Sequence, residues 1–174
     1  MKNETISSYL DCFIDAYIIS KSYRYDIKGR SYIDTPLKYY FTDIGLRNAR
    51  LNFRQQEENH IMENIIYNEL IAREFNVDVG VVEYNHKDDS GKKVRTQLEV
   101  DFVVNKTEKR YYIQSALTVS DEDKRRQEVN SLNKIDDSYA KIVVVRDNIL
   151  PWRDEKGVLY INIEDFLLEK INEL

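Results

Sequence analysis

Apolar residues recur at helical spacing from Thr5 to Tyr17, where Ile6, Tyr9, Leu10, Phe13, Ile14 and Tyr17 form one stripe and predict an amphipathic helix. The stretch from Tyr17 to Tyr25, the turn residues Asp26-Ile-Lys-Gly29 and the return Ser31-Tyr-Ile33 predict a hairpin. Pro36 is expected to break the chain, after which Lys38 to Phe41 is extended and Thr42-Asp43 caps a short helix reaching Leu51. A long helix is predicted over 57–75, followed by strands at 77–84, 95–104 and 110–118 separated by the turns at 88–91 and 105–109. A helix capped by Ser120 and running to about Leu132, a buried strand at 140–145, a strand at 158–161 and a helix from Ile163 to Ile171 complete the order.

Composition narrows the class. The chain has 174 residues, 42% of them hydrophobic and 33% charged, with a net charge of −5, which suits an ordinary folded domain and argues against disorder and against indiscriminate nucleic-acid binding. A single cysteine, Cys12, excludes an internal disulfide framework and a Cys-rich zinc site. No apolar run approaches the length of a membrane span and no signal peptide is evident, so a soluble cytoplasmic protein without membrane partners is expected. The polar stretch after Asn52 suggests a division into an N-terminal segment, 1–52, and a main domain, 53–174. The helix followed by a hairpin in the first segment has the form of the end of a winged-helix unit.

The second strand of the main domain carries the chemistry. Leu98, Val100, Phe102 and Val104 are expected on one face, with Glu99 and Asp101 on the other. Acids on an otherwise apolar strand are costly unless they are solvated, paired or metal-bound. Gln114 on the following strand and Glu63 on the preceding helix can approach Asp101, and Glu, Asp and a strand polar group are the residue types that hold Mg²⁺ for phosphodiester cleavage. Such a site also wants a cation, whose usual place is two residues beyond the position that Gln114 holds, and there this chain has Ala116.

Several segments together resemble a known family. They are Lys38-Tyr-Tyr-Phe-Thr-Asp-Ile-Gly-Leu-Arg-Asn48, Met62-Glu-Asn-Ile-Ile-Tyr-Asn-Glu-Leu70, Leu98-Glu-Val-Asp-Phe-Val103 and Tyr112-Ile-Gln114, with weaker matches at Arg126-Gln-Glu128 and Ile135 to Lys141. Upstream, Ile6-Ser-Ser-Tyr-Leu10 and Arg24 to Gly29 also match. The chain is similar to the C-terminal domain, with the end of the preceding winged helix, of bacterial and archaeal AAA-type ATPases. That resemblance implies an α/β restriction-endonuclease-like core of the PD-(D/E)XK group, a mixed sheet flanked by helices in the order α-β-β-β-α-β. It implies that Glu63 is the helix acid, Asp101 the strand Asp and Gln114 the replacement for the second acid, with Ala116 standing in place of the lysine. Lys124 is the candidate for a displaced lysine, and Glu63 with Asp101 are the candidate metal ligands.

None of the five glycines opens a phosphate-binding loop, so ATP is expected only in a preceding ATPase module, joined in cis if this chain is a fragment of a longer protein. The resulting expectation is a non-catalytic recognition or regulatory domain with no cofactor of its own, contacting DNA, a protein or a second copy of itself. One alternative is a Mg²⁺-dependent nuclease with a migrated lysine. Another is a winged-helix DNA binder using Lys21, Arg24, Lys28 and Arg30 among Tyr23, Tyr25 and Tyr32. Lys124-Arg125-Arg126 lies among acids and reads as a salt-bridged helix face, while His60 and His86 lack partners at zinc-ligand spacing.

Overall fold

Ile142 to Val145, an unbroken run of β-branched residues, is buried on both faces and sits inside one mixed eight-stranded sheet. The computed structural model describes residues 3–54, 57–87 and 90–168. In chain order the elements are α1 (Asn3–Asp15), β1 (Ile19–Asp26), β2 (Ser31–Phe41), α2 (Ile44–Arg50), α3 (Glu58–Ala72), β3 (Asn76–Lys87), β4 (Lys93–Lys106) and β5 (Lys109–Ala116). They continue with α4 (Glu122–Glu128), β6 (Ala140–Val145), β7 (Trp152–Arg153), β8 (Leu159–Asn162) and α5 (Ile163–Leu168). The order across the sheet is β2-β1-β3-β4-β5-β6-β8-β7. The pairs β1–β3, β5–β6 and β6–β8 are parallel and the others antiparallel. The protein is therefore a mixed α/β fold with a mixed sheet flanked by helices. Parts of three expected features, the turn at 88–91, the polar stretch after Asn52 and the end of the last helix, lie outside the described residues.

Two apolar cores sandwich the sheet. On one face Met62, Ile66, Tyr67 and Leu70 of α3 and Phe166 of α5 pack on Phe102, Val104, Ile113 and Val144. On the other, Val129, Leu132 and Ile135 pack on Val100, Tyr112, Val143 and Tyr160. No helix among the described residues is long and apolar enough to cross a membrane.

Five local features depart from the sequence expectation. The chain is not broken at Pro36: β2 runs through it as an edge strand, where a missing N–H leaves no ladder partner unsatisfied. The β1–β2 register jumps there, from Arg24–Ile33 to Ser22–Lys38, and the Pro36 carbonyl accepts a bond from Arg24 Nε at 2.8 Å. The hairpin expected as a wing is instead the edge of the main sheet, because Arg24 to Asp26 pair in parallel with Val79 to Val81. β1 and β2 of the segment 1–52 thus share one sheet with the strands of 53–174.

The apolar stripe of α1 is largely uncovered, with Tyr9 59% and Phe13 46% exposed and only Leu10 and Ile14 half-buried, and the helix ends at Asp15, before Tyr17. The cap of α4 is Asp121 rather than Ser120, its Oδ1 accepting Lys124 N–H at 2.8 Å. The helix stops at Glu128, with a single 3-10 turn over Leu132–Lys134. Lastly, between the pairs Asp78–Val103 and Gly80–Val100, β4 carries one more residue than β3. This bulge reverses the alternation, so Val100 joins one core and Phe102 the other, in place of the single face expected for both.

Gly80 sits opposite the bulge. A Cβ there would stand 2.9 Å from Ile27 Cδ1, Val100 Cβ and Val103 Cγ2. Gly80→Ala is expected to destabilise the protein by about 1–3 kcal/mol through overpacking, read as a lower urea midpoint with an unchanged m-value.

Candidate functional site

The β4–β5 ladder pairs residues only as far as Phe102–Ile113. Beyond it the strands separate, and side chains satisfy the freed backbone groups. Asp101 Oδ2 accepts the Ser115 N–H at 2.8 Å, while Gln114 Oε1 lies 3.4 Å from Asp101 N and 3.5 Å from Ser131 Oγ. The bulge turns Asp101 toward the α3 side, where it meets Glu63. A cavity of about 400 Å³ opens at this point, lined among others by Glu63, Asp101, Gln114, Ala116, Lys124 and His60.

The sequence-selected residues Glu63, Asp101, Gln114 and Lys124 thus meet at one end of the sheet, with Ala116 beside them. Lys124 belongs to the exposed rim, its Nζ 4.0 Å from Asp121 Oδ2. His60, half-exposed and 3.3 Å from Glu57, is a lining residue that its isolated position in the sequence did not reveal.

Sequence reasoning also missed the cation closest to the acids. Lys38 Nζ lies 2.6 Å from Glu63 Oε1 and 2.9 Å from Glu99 Oε1. Arg24 continues the chain of charges, 2.7 Å from Glu99 Oε2, and Tyr40 donates its hydroxyl to Glu63 Oε1 at 2.7 Å. Two cations and two carboxylates alternate in a row from β1 through β4 and β2 to α3. The only signal in the sequence is the spacing of Lys38 and Tyr40, which places both on one face of a strand.

Protonation follows from this packing. Burial alone favours neutral Lys38, but the Glu63 and Glu99 carboxylates outweigh it and hold its ammonium above the ordinary lysine range. Burial likewise opposes charge on Glu99, yet Lys38 and Arg24 keep its carboxyl below the usual range. Burial and then Glu63 push the Tyr40 phenol up. Asp101 differs: burial first, then the neighbouring Glu63 charge, raise its carboxyl to about 7, against the opposing Ser115 N–H and Lys38.

A divalent ion does not fit this residue set as it stands. The ammonium of Lys38 already neutralises Glu63, Asp101 favours its protonated form up to neutrality, and Gln114 is uncharged. Among the described residues no three His, Cys, Asp or Glu side chains form a cluster able to hold a metal ion.

The surface cations expected together do not stay together. Arg24 is turned inward to Glu99, Lys21 borders a groove beside Tyr23 and Tyr32, and Lys28 and Arg30 line a different cavity at the other end of the sheet.

A protein of Haemophilus influenzae described as uncharacterized is 30% identical over 167 residues, which cover 96% of this chain and 38% of that protein. This chain therefore spans well under half the length of that relative. No family model matches the chain, and no solved structure matches it.

Two outcomes are expected. Lys38→Met leaves Glu63 and Glu99 without their shared cation and costs about 3 kcal/mol, at the low end of buried-pair losses because Lys38 is partly exposed. The double change Lys38→Met with Glu63→Gln recovers most of that loss, as read by urea denaturation.

Folded Asp101 keeps its proton to about 7, whereas an unfolded aspartate loses it near pH 4. Its favourable contribution is complete below about pH 4 and is lost as the pH rises through about 7. Asp101→Asn should therefore gain stability over wild type from pH 5 to 8, with the difference shrinking toward about pH 4 in thermal melts across a pH series.

Proposed function

We propose that this chain is a non-catalytic recognition or regulatory domain with a restriction-endonuclease-like core, carried by a longer AAA-type ATP-binding protein. The observation that carries the reading is the built-in cation. Lys38 bridges Glu63 and Glu99 at 2.6 and 2.9 Å, so Glu63, one of the two candidate metal acids, is already paired with an ammonium. Ala116 offers no charge beside Asp101, and Gln114 spends its carbonyl on the Asp101 backbone and Ser131. The cluster thereby joins hairpin, helix and sheet, a structural use of residues whose types suit hydrolysis.

Support for a longer parent comes from two sides. The segments from Ile6 to Lys141 resemble the domain that follows an ATPase module, and the matched relative is much longer than the match, of which this region is 38%. ATP binding belongs in this reading to the remainder of the parent, and this domain supplies contacts with DNA or a protein partner.

A second reading, a nuclease with a displaced lysine, is favoured by one observation: Lys124 borders the same cavity as Glu63 and Asp101. Nicking of supercoiled plasmid with Mg²⁺ or Mn²⁺ separates the two. The proposal expects wild type and Asp101→Asn to be equally inactive. Metal-dependent cutting by wild type that Asp101→Asn abolishes overturns it in favour of the nuclease.

A further inference from the structure

At the opposite end of the sheet from the acid cluster, three turns enclose a cavity of about 710 Å³. They are the β1–β2 turn, the β4–β5 turn and the loop entering β6. Arg110 at its wall and Gln114 at the acid cluster are four residues apart on β5, or about 13 Å along the strand. The cavity is a separate site.

Its lining pairs unspent positive charge with aromatic faces. Lys28, Arg30 and Lys109 are exposed and make no ion pair or side-chain hydrogen bond with any described residue. Most other cations in the structure have partners, as the alternating row around Lys38 illustrates. The Arg110 guanidinium lies between two rings, 5.2 Å from the Tyr25 centroid and 5.4 Å from that of Tyr139, and Asn105 Oδ1 fixes it by accepting from Nε at 2.7 Å. Tyr139 remains 44% exposed.

Three acids also border the cavity. They are Glu108, Asp136 and Asp137, the last accepting the Tyr112 hydroxyl at 2.7 Å and the Tyr139 N–H at 3.2 Å, so the four cations Lys28, Arg30, Lys109 and Arg110 outnumber the acids. Two turn residues of the lining, Arg30 and Thr107, hold left-handed backbone at φ 53° and 55°. For a β-branched threonine that conformation is an outlier, and strain of this kind gathers at ligand-holding turns.

We infer that this cavity binds single-stranded nucleic acid, with Lys28, Arg30 and Lys109 on phosphates and a base against the Tyr139–Arg110 stack. Free ammonium and guanidinium groups recognise phosphate, and an exposed tyrosine beside a planar guanidinium recognises the π-face of an unpaired base. The concave shape favours a splayed strand over a duplex, whose bases are stacked and out of reach. This inference is independent of the non-catalytic reading, since it uses none of the residues around Lys38.

The test is fluorescence anisotropy of labelled oligothymidylate over a salt series. Wild type should bind with a salt slope near −2, from three phosphates at about 0.7 each. Lys28→Glu with Lys109→Glu should weaken binding at least about tenfold and reduce the slope by about 1.4. Tyr139→Ala should weaken it by about tenfold with the slope unchanged. Both variants alter exposed side chains, and an unchanged circular dichroism melt confirms the fold. Lys156→Glu, on another face, controls for net charge and should stay within about twofold. Absence of binding at low salt, binding indifferent to the Lys28–Lys109 charge reversal, or equal affinity for the matching duplex each overturns the inference.

Discussion

One ammonium group ties three separate parts of this molecule together. Lys38 stands on β2, an edge strand, yet it contacts Glu63 of α3 and Glu99 of β4, residues 25 and 61 positions away in sequence. Breaking that bridge leaves the buried Glu63 carboxylate without a counter-charge and Glu99 with Arg24 alone, which is why it constrains the rest. Tyr40 and Asn64 reinforce the same junction: the Tyr40 ring stacks on Tyr67 at 4.0 Å, and Asn64 bonds both the N–H and the carbonyl of Phe41. Polar contacts as well as apolar ones hold the hairpin to α3. A charged row of this kind contributes specificity of docking more than net stability, since desolvation offsets much of the attraction.

The site owes its shape to two irregularities of the sheet. The extra residue in β4 opposite Gly80 re-aims Asp101, and the end of the β4–β5 ladder at Phe102–Ile113 opens the strands. Burial follows from that geometry, and the raised carboxyl of Asp101 follows from burial beside Glu63. A carboxyl that keeps its proton near neutrality, next to a carboxylate already joined to lysine, forms a self-sufficient cluster. The opposite end of the sheet has the reverse character, with cations left over and rings uncovered.

Much of this was legible in the sequence, and for identifiable reasons. The helical stripe of α3, the β-branched run of β6 and the turns between strands are local signals, and they placed the helix, three strands, helix, strand order correctly. The approach of Glu63 and Gln114 to Asp101 follows from that order, and all three line one cavity. What stayed hidden was non-local. Pro36 read as a break because its tolerance depends on lying at an edge, which only the assembled sheet decides. Phe102 was assigned to the face of Val100 because a bulge leaves no mark on strict alternation. Lys38 was one residue of an extended segment, and nothing local in the sequence pairs it with an acid on another element. Arg24 looked like a surface cation for the same reason.

The central proposal is that Glu63, paired with the Lys38 ammonium, and Asp101, protonated up to neutrality, hold no divalent ion. Its most direct measurement is an NMR titration with Mg²⁺ that follows the Ser115 amide, the Asp101 amide and the Lys38 ammonium together. The account predicts that these three resonances show no saturable shift while the Lys38 ammonium stays protected by its two carboxylates. A saturating shift of Ser115 and Asp101, accompanied by release of the Lys38 ammonium to solvent, contradicts it.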